Sequence, residues 1–215
     1  MSITHHPSDE TLLRYAAGTL AAGPALVVAA HLAASPASRA RLRDFEALAG
    51  AMLEAVPPTA LADDALARTL ARLDAPAPAV RPAMAPPPDL PPGTLWPAPL
   101  GAYPVGRWRF LAPGVRWSRI EVPDPQSRVI LMRVAGGMKL PAHGHSGIEY
   151  TCVLAGAFSD DSGRYGPGDL AEEDDDTDHQ PLVEPGAECV CLIAMQGRTR
   201  PHGWLGRLVQ PLLGF

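Results

Sequence analysis

Between Pro76 and Pro99 the chain carries more prolines than any helix interior or central strand accepts, including Pro86-Pro87-Pro88 and Pro91-Pro92. Proline fixes φ and lacks a backbone N–H, so such a stretch favours extended polyproline II and acts as a semi-rigid spacer. It divides the chain. Residues 1–75 have helical periodicity, whereas residues 100–215 are punctuated by glycine and proline between short apolar runs, as a β-domain is. The expected architecture is multidomain α plus all-β: a small helical bundle over 1–75, a linker over 76–99 and a small antiparallel barrel or jelly roll over 100–215.

Four helices are expected in the first part. Ser8 is a good N-cap, with Asp9 and Glu10 in the first turn and Leu12, Leu13, Ala16 and Leu20 on one side, and Gly18 is a plausible stop. A second helix starts at Pro24 and runs through Leu26, Val27, Val28, Ala29, Ala30, His31 and Leu32. It is apolar nearly all round, so it belongs in a centre or under a partner. Ser35-Pro36 is an N-cap followed by a first-turn proline, opening a helix with a stripe of Leu42, Phe45, Leu48, Ala49, Met52, Leu53 and Val56. A short fourth helix carries Leu66, Leu70 and Leu73. Four short helices make a marginal core, and apolar surface left over would suit a protein partner.

In the second part, strands are expected over Arg107–Leu111, Val115–Val122, Val129–Val134, Ile148–Leu154, His179–Glu184 and Cys189–Ala194. The segment from Gly137 to Gly156 reads G-x5-H-x-H-x3-E-x6-G. His143 and His145, two apart, face one side of a strand, and Glu149 returns to that side if the chain stays extended. Two imidazoles and a carboxylate converging on a point are ligands for a divalent metal such as zinc, iron, manganese or nickel. His179 opens an apolar strand and is assigned as the fourth ligand. The acidic run Glu172–Asp178 reads mostly as a solvated loop, with a calcium or second-metal site as the sharper alternative.

The 47% hydrophobic content supports a core, and the net charge of −5 without a basic block argues against nucleic acid as the main partner. No apolar run is long enough to span a membrane, and the N-terminus lacks the layout of a signal peptide, so a cytoplasmic location is expected. Cys152, Cys189 and Cys191 are an odd number in such a chain and read as free, buried thiols.

The motif from Gly137 to Gly156 resembles the first motif of the cupin family in every fixed position, and Tyr165-Gly166-Pro167-Gly168-Asp169 resembles the turn of the second. The order of helices, proline linker and cupin is similar to that of ChrR-type anti-sigma factors. That likeness runs through His-His-Pro-Ser-Asp-Glu-Thr-Leu-Leu-Arg-Tyr, then Val-Val-Ala-Ala-His31-Leu, the metal motif, His179-Gln-Pro and the closing Leu208-Val-Gln-Pro-Leu-Leu-Gly-Phe. It implies a helical domain that grips a group IV (extracytoplasmic-function) sigma factor and keeps it from RNA polymerase. It also implies a metal-binding cupin β-barrel that acts in the response to oxidative or photooxidative stress, with zinc the first choice of metal. A homodimer is compatible with it, and an enzymatic activity is not required.

The chain departs from the family in one place. The family's helical domain commonly holds zinc through an early histidine and a His-x3-Cys-x2-Cys helix-turn. Here the positions are His6, His31, Ser35 and Ser38. Serine is a poor zinc ligand and two histidines do not make a structural site, so no N-terminal zinc is expected. The competing function is a metal-dependent cupin dioxygenase or related oxidoreductase acting on a small molecule. It accounts for the metal motif and leaves the helices unexplained.

Overall fold

The computed structural model describes residues 2–76, 84, 86–87, 89–124, 127–196 and 199–201, with His145 and the last three by backbone alone. Linker residues 77–83, 85 and 88, His202 and the closing segment 208–215 lie outside the described residues.

Four helices come first: α1 (Asp9–Ala16), α2 (Ala22–Ala34), α3 (Pro36–Glu54) and α4 (Ala65–Leu73). Their ends follow local chemistry. The hydroxyls of Ser8 and Ser35 accept the amides of Thr11 and Ser38, each satisfying a first-turn donor. Gly18, at φ 66°, adopts the left-handed conformation that closes α1. Helix α2 starts at Ala22 rather than Pro24, because the first turn tolerates proline.

The strands are β1 (Arg109–Ala112), β2 (Val115–Ile120), β3 (Arg128–Val134), β4 (His143–His145), β5 (Glu149–Ala155), β6 (Phe158–Asp160), β7 (Gly163–Tyr165), β8 (Leu170–Glu173), β9 (Leu182–Val183), β10 (Cys189–Met195) and β11 (Thr199–Pro201). All their pairings are antiparallel. A six-stranded sheet has the order β1-β2-β3-β10-β5-β8, and two small sheets have the orders β7-β6-β9 and β11-β4. The extended segment expected to carry His143, His145 and Glu149 is broken by a bend at Ser146-Gly147 into β4 and β5, and the short strands β6, β7, β8 and β11 were not among the expected elements. Three or four residues are too few to display an alternating pattern. The strand expected from His179 to Glu184 is reduced to Leu182–Val183, with His179 making an isolated bridge to His143. Pro181 has no N–H to extend the ladder.

Whereas β1 and β2 stay partly exposed, the centre of the large sheet, β5 and β10, is buried on both faces. On one, Ile130, Val153, Ala171, Cys191 and Ile193 pack with Phe158, Tyr165 and Val183 of the small sheet, forming the barrel interior. On the other, Leu131, Tyr150, Cys152, Leu154, Leu192 and Ala194 pack with Leu12, Leu26, Val27, Val28 and Leu32 of α1 and α2. This explains why β5 and β10 are buried at every position instead of alternating. It also explains why α2 has no polar face. The first two helices therefore have no core of their own; they complete that of the barrel. Leu90, Leu95 and Trp96, late in the linker, pack on the same core. Gly23 sits where an added Cβ would lie 2.7 Å from the Cβ of Ser127, so α2 needs glycine to approach the barrel this closely.

Helices α3 and α4 differ from the first two. Along α3 only Ser38 is buried, with Leu42 and Phe45 half-covered, and α4 has no buried residue.

A shared core should unfold as one unit. All four tryptophans, Trp96, Trp108, Trp117 and Trp204, lie C-terminal to α4. Their fluorescence and the far-ultraviolet helical signal should give coincident thermal transitions. Leu26→Ala should shift both together and destabilise by about 2–5 kcal/mol. A helical transition separate from the tryptophan one would contradict the shared core.

Candidate metal centre

The barrel brings His143 and His179 together through their backbones. The amide of each donates to the carbonyl of the other, at 3.1 and 3.0 Å. Their rings meet edge to face with centroids 4.4 Å apart, and the two Nε2 atoms are 3.0 Å from each other. Glu149 opens β5 with its side chain buried, and its Oε1 accepts the hydroxyl of Thr151 at 3.0 Å. His145 stands two residues from His143 on β4; its side chain lies outside the described residues.

Hydrogen bonding sets which ring nitrogens can bind a cation. Nδ1 of His143 lies 3.0 Å from the carbonyl of Pro141, which can only accept, so this nitrogen carries the proton. Nδ1 of His179 lies 3.3 Å from a carboxylate oxygen of Asp160. With both Nδ1 atoms donating, each neutral ring turns an Nε2 lone pair toward the other. Two lone pairs at 3.0 Å repel unless a proton on one Nε2 is shared with the other or both nitrogens bind a metal cation. The donor set of two imidazoles and a buried glutamate therefore fits a divalent metal, and His143, Glu149 and His179 are the described side chains that would hold it.

Two acidic residues that the motif did not single out belong to this site. Asp160, Glu173 and His179 offer ligand atoms within 4.8 Å of one another. Glu173 is directly opposite Glu149 across the β5–β8 ladder. The acidic run is thus a solvated loop only in part. Its Asp174, Asp175 and Asp176 are exposed, but Glu173 is the last residue of β8 and faces inward. The signal for Glu173 was the strand itself, which is too short to recognise from periodicity; Asp160 sits at the end of β6 for the same reason.

Electrostatics follow from that crowding. Burial lifts the Glu173 carboxyl above the usual carboxylate range, and the charges of Asp160 and Glu149 add to the shift while His179 opposes it. Burial pulls His179 down, but the hydrogen bond to Asp160 and the charges of Glu149 and Glu173 outweigh it and raise the imidazole. Burial also works against ionised Asp160, yet the hydrogen bonds from His179 and the Ser162 amide hold it below its ordinary value. A bound divalent cation would compensate buried carboxylates of this density. Cys189 and Cys191 lie deeper in the barrel with sulfurs 3.6 Å apart, and Cys152 faces the helices; all three are free and buried.

The four N-terminal positions also converge. Ser38 Oγ lies 2.9 Å from His6 Nδ1 and 2.7 Å from His31 Nε2, and Ser35 donates to Ser38 at 3.1 Å. His31 is fully buried, and its Nδ1 donates to the carbonyl of Gly168 at 2.7 Å. The network therefore ties α2 and the start of α3 to the turn before β8. Asp169 in that turn accepts the amides of Thr4 and His5 at 2.7 and 2.9 Å, so the first residues of the chain are strapped to the same place.

Burial lowers His31 to about 4 against an ordinary 6.5. The unfolded chain then takes up the extra proton first. Stability from neutral His31 is complete above pH 6.5 and declines as pH falls toward 4, at up to about 1.4 kcal/mol per pH unit. Urea midpoints across that window should show this slope, and His31→Gln should flatten it. An equal slope in both proteins would mean that His31 is protonated in the fold.

Comparison with known proteins agrees with this fold. The model of the ChrR Cupin-like domain matches residues 104–197. Anti-sigma-E factor ChrR of Cereibacter sphaeroides is 39% identical over 217 residues, covering 98% of this chain and 98% of the relative. A chain in the crystal structure of Rhodobacter sphaeroides SigE in complex with the anti-sigma ChrR is 36% identical and superposes with a TM-score of 0.75. That match covers 90% of this chain and 99% of the other. With similarity running through helices and barrel alike, the chain belongs to the ChrR-type anti-sigma factor family.

Proposed function

We propose that this protein is an anti-sigma factor that binds and inhibits a group IV sigma factor through its helices. Helix α4 carries the proposal. Its Leu66, Leu70 and Leu73 lie on one side and are 71%, 51% and 76% exposed. Nearby in sequence, Leu48, Met52, Leu53 and Val56 at the end of α3 are also exposed. A nine-residue amphipathic helix is marginal in water, and none of the described residues covers its apolar side. A protein partner would cover it, and the relative of known structure is held in a complex with SigE. The competing cupin oxidoreductase has no use for such a surface. Because sigma factors act on RNA polymerase, the chain would work in the cytoplasm.

The division of labour would follow the boundaries expected from the sequence, with α1 and α2 also completing the barrel's core. Residues 1–75 would grip the sigma factor, 76–99 would connect, and 100–215 would hold one divalent metal and respond to oxidative stress. His143, His145, Glu149 and His179 are the proposed ligands, with zinc the first choice and iron, manganese or nickel as alternatives. At His6, His31, Ser35 and Ser38, hydrogen bonds would take the structural place of a second zinc. A change in the barrel could reach the helices through β8 and the turn gripped by His31 and Asp169.

Two measurements test this reading. The full chain should capture a group IV sigma factor, and Leu66→Asp with Leu70→Asp should weaken that binding by about 30-fold or more while leaving the thermal transition in place. Failure of the wild-type chain to bind any sigma factor would sink the anti-sigma function; unaltered binding by the variant would move the contact off α4. Metal analysis should find one equivalent per chain. His143→Ala or His145→Ala should remove it while sigma binding persists; a second equivalent surviving these changes would place metal at the N-terminal cluster after all.

A further inference from the structure

Behind the two facing imidazoles stands a carboxylate that neither the metal motif nor the family resemblance points to. Asp160 ends β6, and its side chain is 0% exposed. One oxygen, Oδ1, is engaged by the amide of Ser162 at 2.9 Å, which fixes the carboxylate at the β6–β7 turn. The other, Oδ2, lies 3.3 Å from Nδ1 of His179. Glu173 Oε1 flanks the same nitrogen at 3.9 Å, beyond hydrogen-bonding distance. An imidazole has one proton to offer from that nitrogen, and Asp160 is the nearer acceptor.

We propose that Asp160 is a positioning residue of the metal centre: its fixed carboxylate accepts the Nδ1 proton of His179 and aims the Nε2 lone pair of that ring at the ion. The inference rests on the reading that the barrel holds a divalent metal. His179 needs such help more than His143 does. His143 lies in a paired strand and donates to Pro141 two residues away. His179 follows an acidic loop and meets His143 at an isolated bridge rather than within a ladder. Without a directional acceptor its ring could turn, or carry its proton on Nε2 and present no lone pair. A carboxylate acceptor also makes the imidazole a more basic ligand than a carbonyl would. Glu173 adds negative charge on the same side without competing for the proton.

The test uses the full chain and zinc as the probe, in competition with a chelator of known affinity. Asp160→Asn should weaken zinc binding by about 10–100-fold. Asp161→Asn, at the exposed neighbouring position, should leave it unchanged. An Asp160→Asn protein that binds zinc within twofold of wild type would overturn the proposal. A merely structural aspartate would lower the melting temperature of the metal-free and zinc-loaded forms equally, which is the same zinc affinity. Nitrogen NMR of the zinc-loaded wild-type chain gives an answer that needs no variant to fold. A His179 proton on Nδ1 supports the assignment, and a proton on Nε2 overturns it. If the wild-type chain binds no zinc, manganese or iron, the metal reading falls, and this inference with it. If it binds metal with His179 in the other tautomer, only the inference falls.

Discussion

Burial of α2 against the outer face of the six-stranded sheet is the contact on which the rest depends. The helix runs Ala-Gly-Pro-Ala-Leu-Val-Val-Ala-Ala-His-Leu-Ala-Ala and has no polar side to turn to water. The face of β5, β10 and β3 that it covers is equally apolar, with Cys152, Leu154, Leu192 and Leu131 at its centre. Each surface removes the other from water, at roughly 25 cal/mol for every Å² of apolar area buried. The contact leaves the barrel closed on both sides of its main sheet. It also fixes His31, the one polar group on the buried part of α2, where its ring must find partners. It finds them in the Gly168 carbonyl and the Ser38 hydroxyl.

That arrangement places the chain's two centres of polar chemistry at opposite ends of one short segment. Gly168 and Asp169 begin it, held by His31 and by the amides of Thr4 and His5. Glu173 ends it, inside the barrel beside His179. Between them β8 is only four residues long and is paired to β5 throughout. A displacement of Glu173 has little slack to absorb before it reaches the helices. In the metal centre itself, buried carboxylates surround two imidazoles at contact distance. Pro141 and Asp160, each an acceptor beside an Nδ1 atom, favour the tautomers in which both Nε2 atoms could meet a cation.

Much of this was legible in the residues because local rules govern it. Ser8 and Ser35 marked helix starts through a bond to an amide three residues on, and the breadth of the apolar surface on α2 announced a central position. The His-x-His spacing marked a strand, but a bend at Ser146-Gly147 separates that strand from Glu149, which opens a strand of another sheet. His179, placed on the same site by its apolar downstream residues, lies against His143, although the strand expected to carry it is mostly irregular. Asp160 and Glu173 were illegible for a different reason. Each is an acid among acids, in Asp160-Asp161 and in the run from Glu172 to Asp178, and nothing local separates the one that turns inward from those that remain in water.

The sequence by itself determined the helices and their caps, the change to β structure beyond the prolines, the metal motif and the family. These depend on spacings of a few residues, where backbone geometry alone decides which side chains share a face. Only the tertiary structure decided that α1 and α2 share the barrel's core while α4 stays bare, and that two serines and two histidines knit into a hydrogen-bonded joint. It also decided which of many acids stand behind His179. Those outcomes depend on pairings between segments far apart in the chain, as of Glu149 with Glu173 or His31 with Gly168, whose register is fixed by packing over the whole sheet.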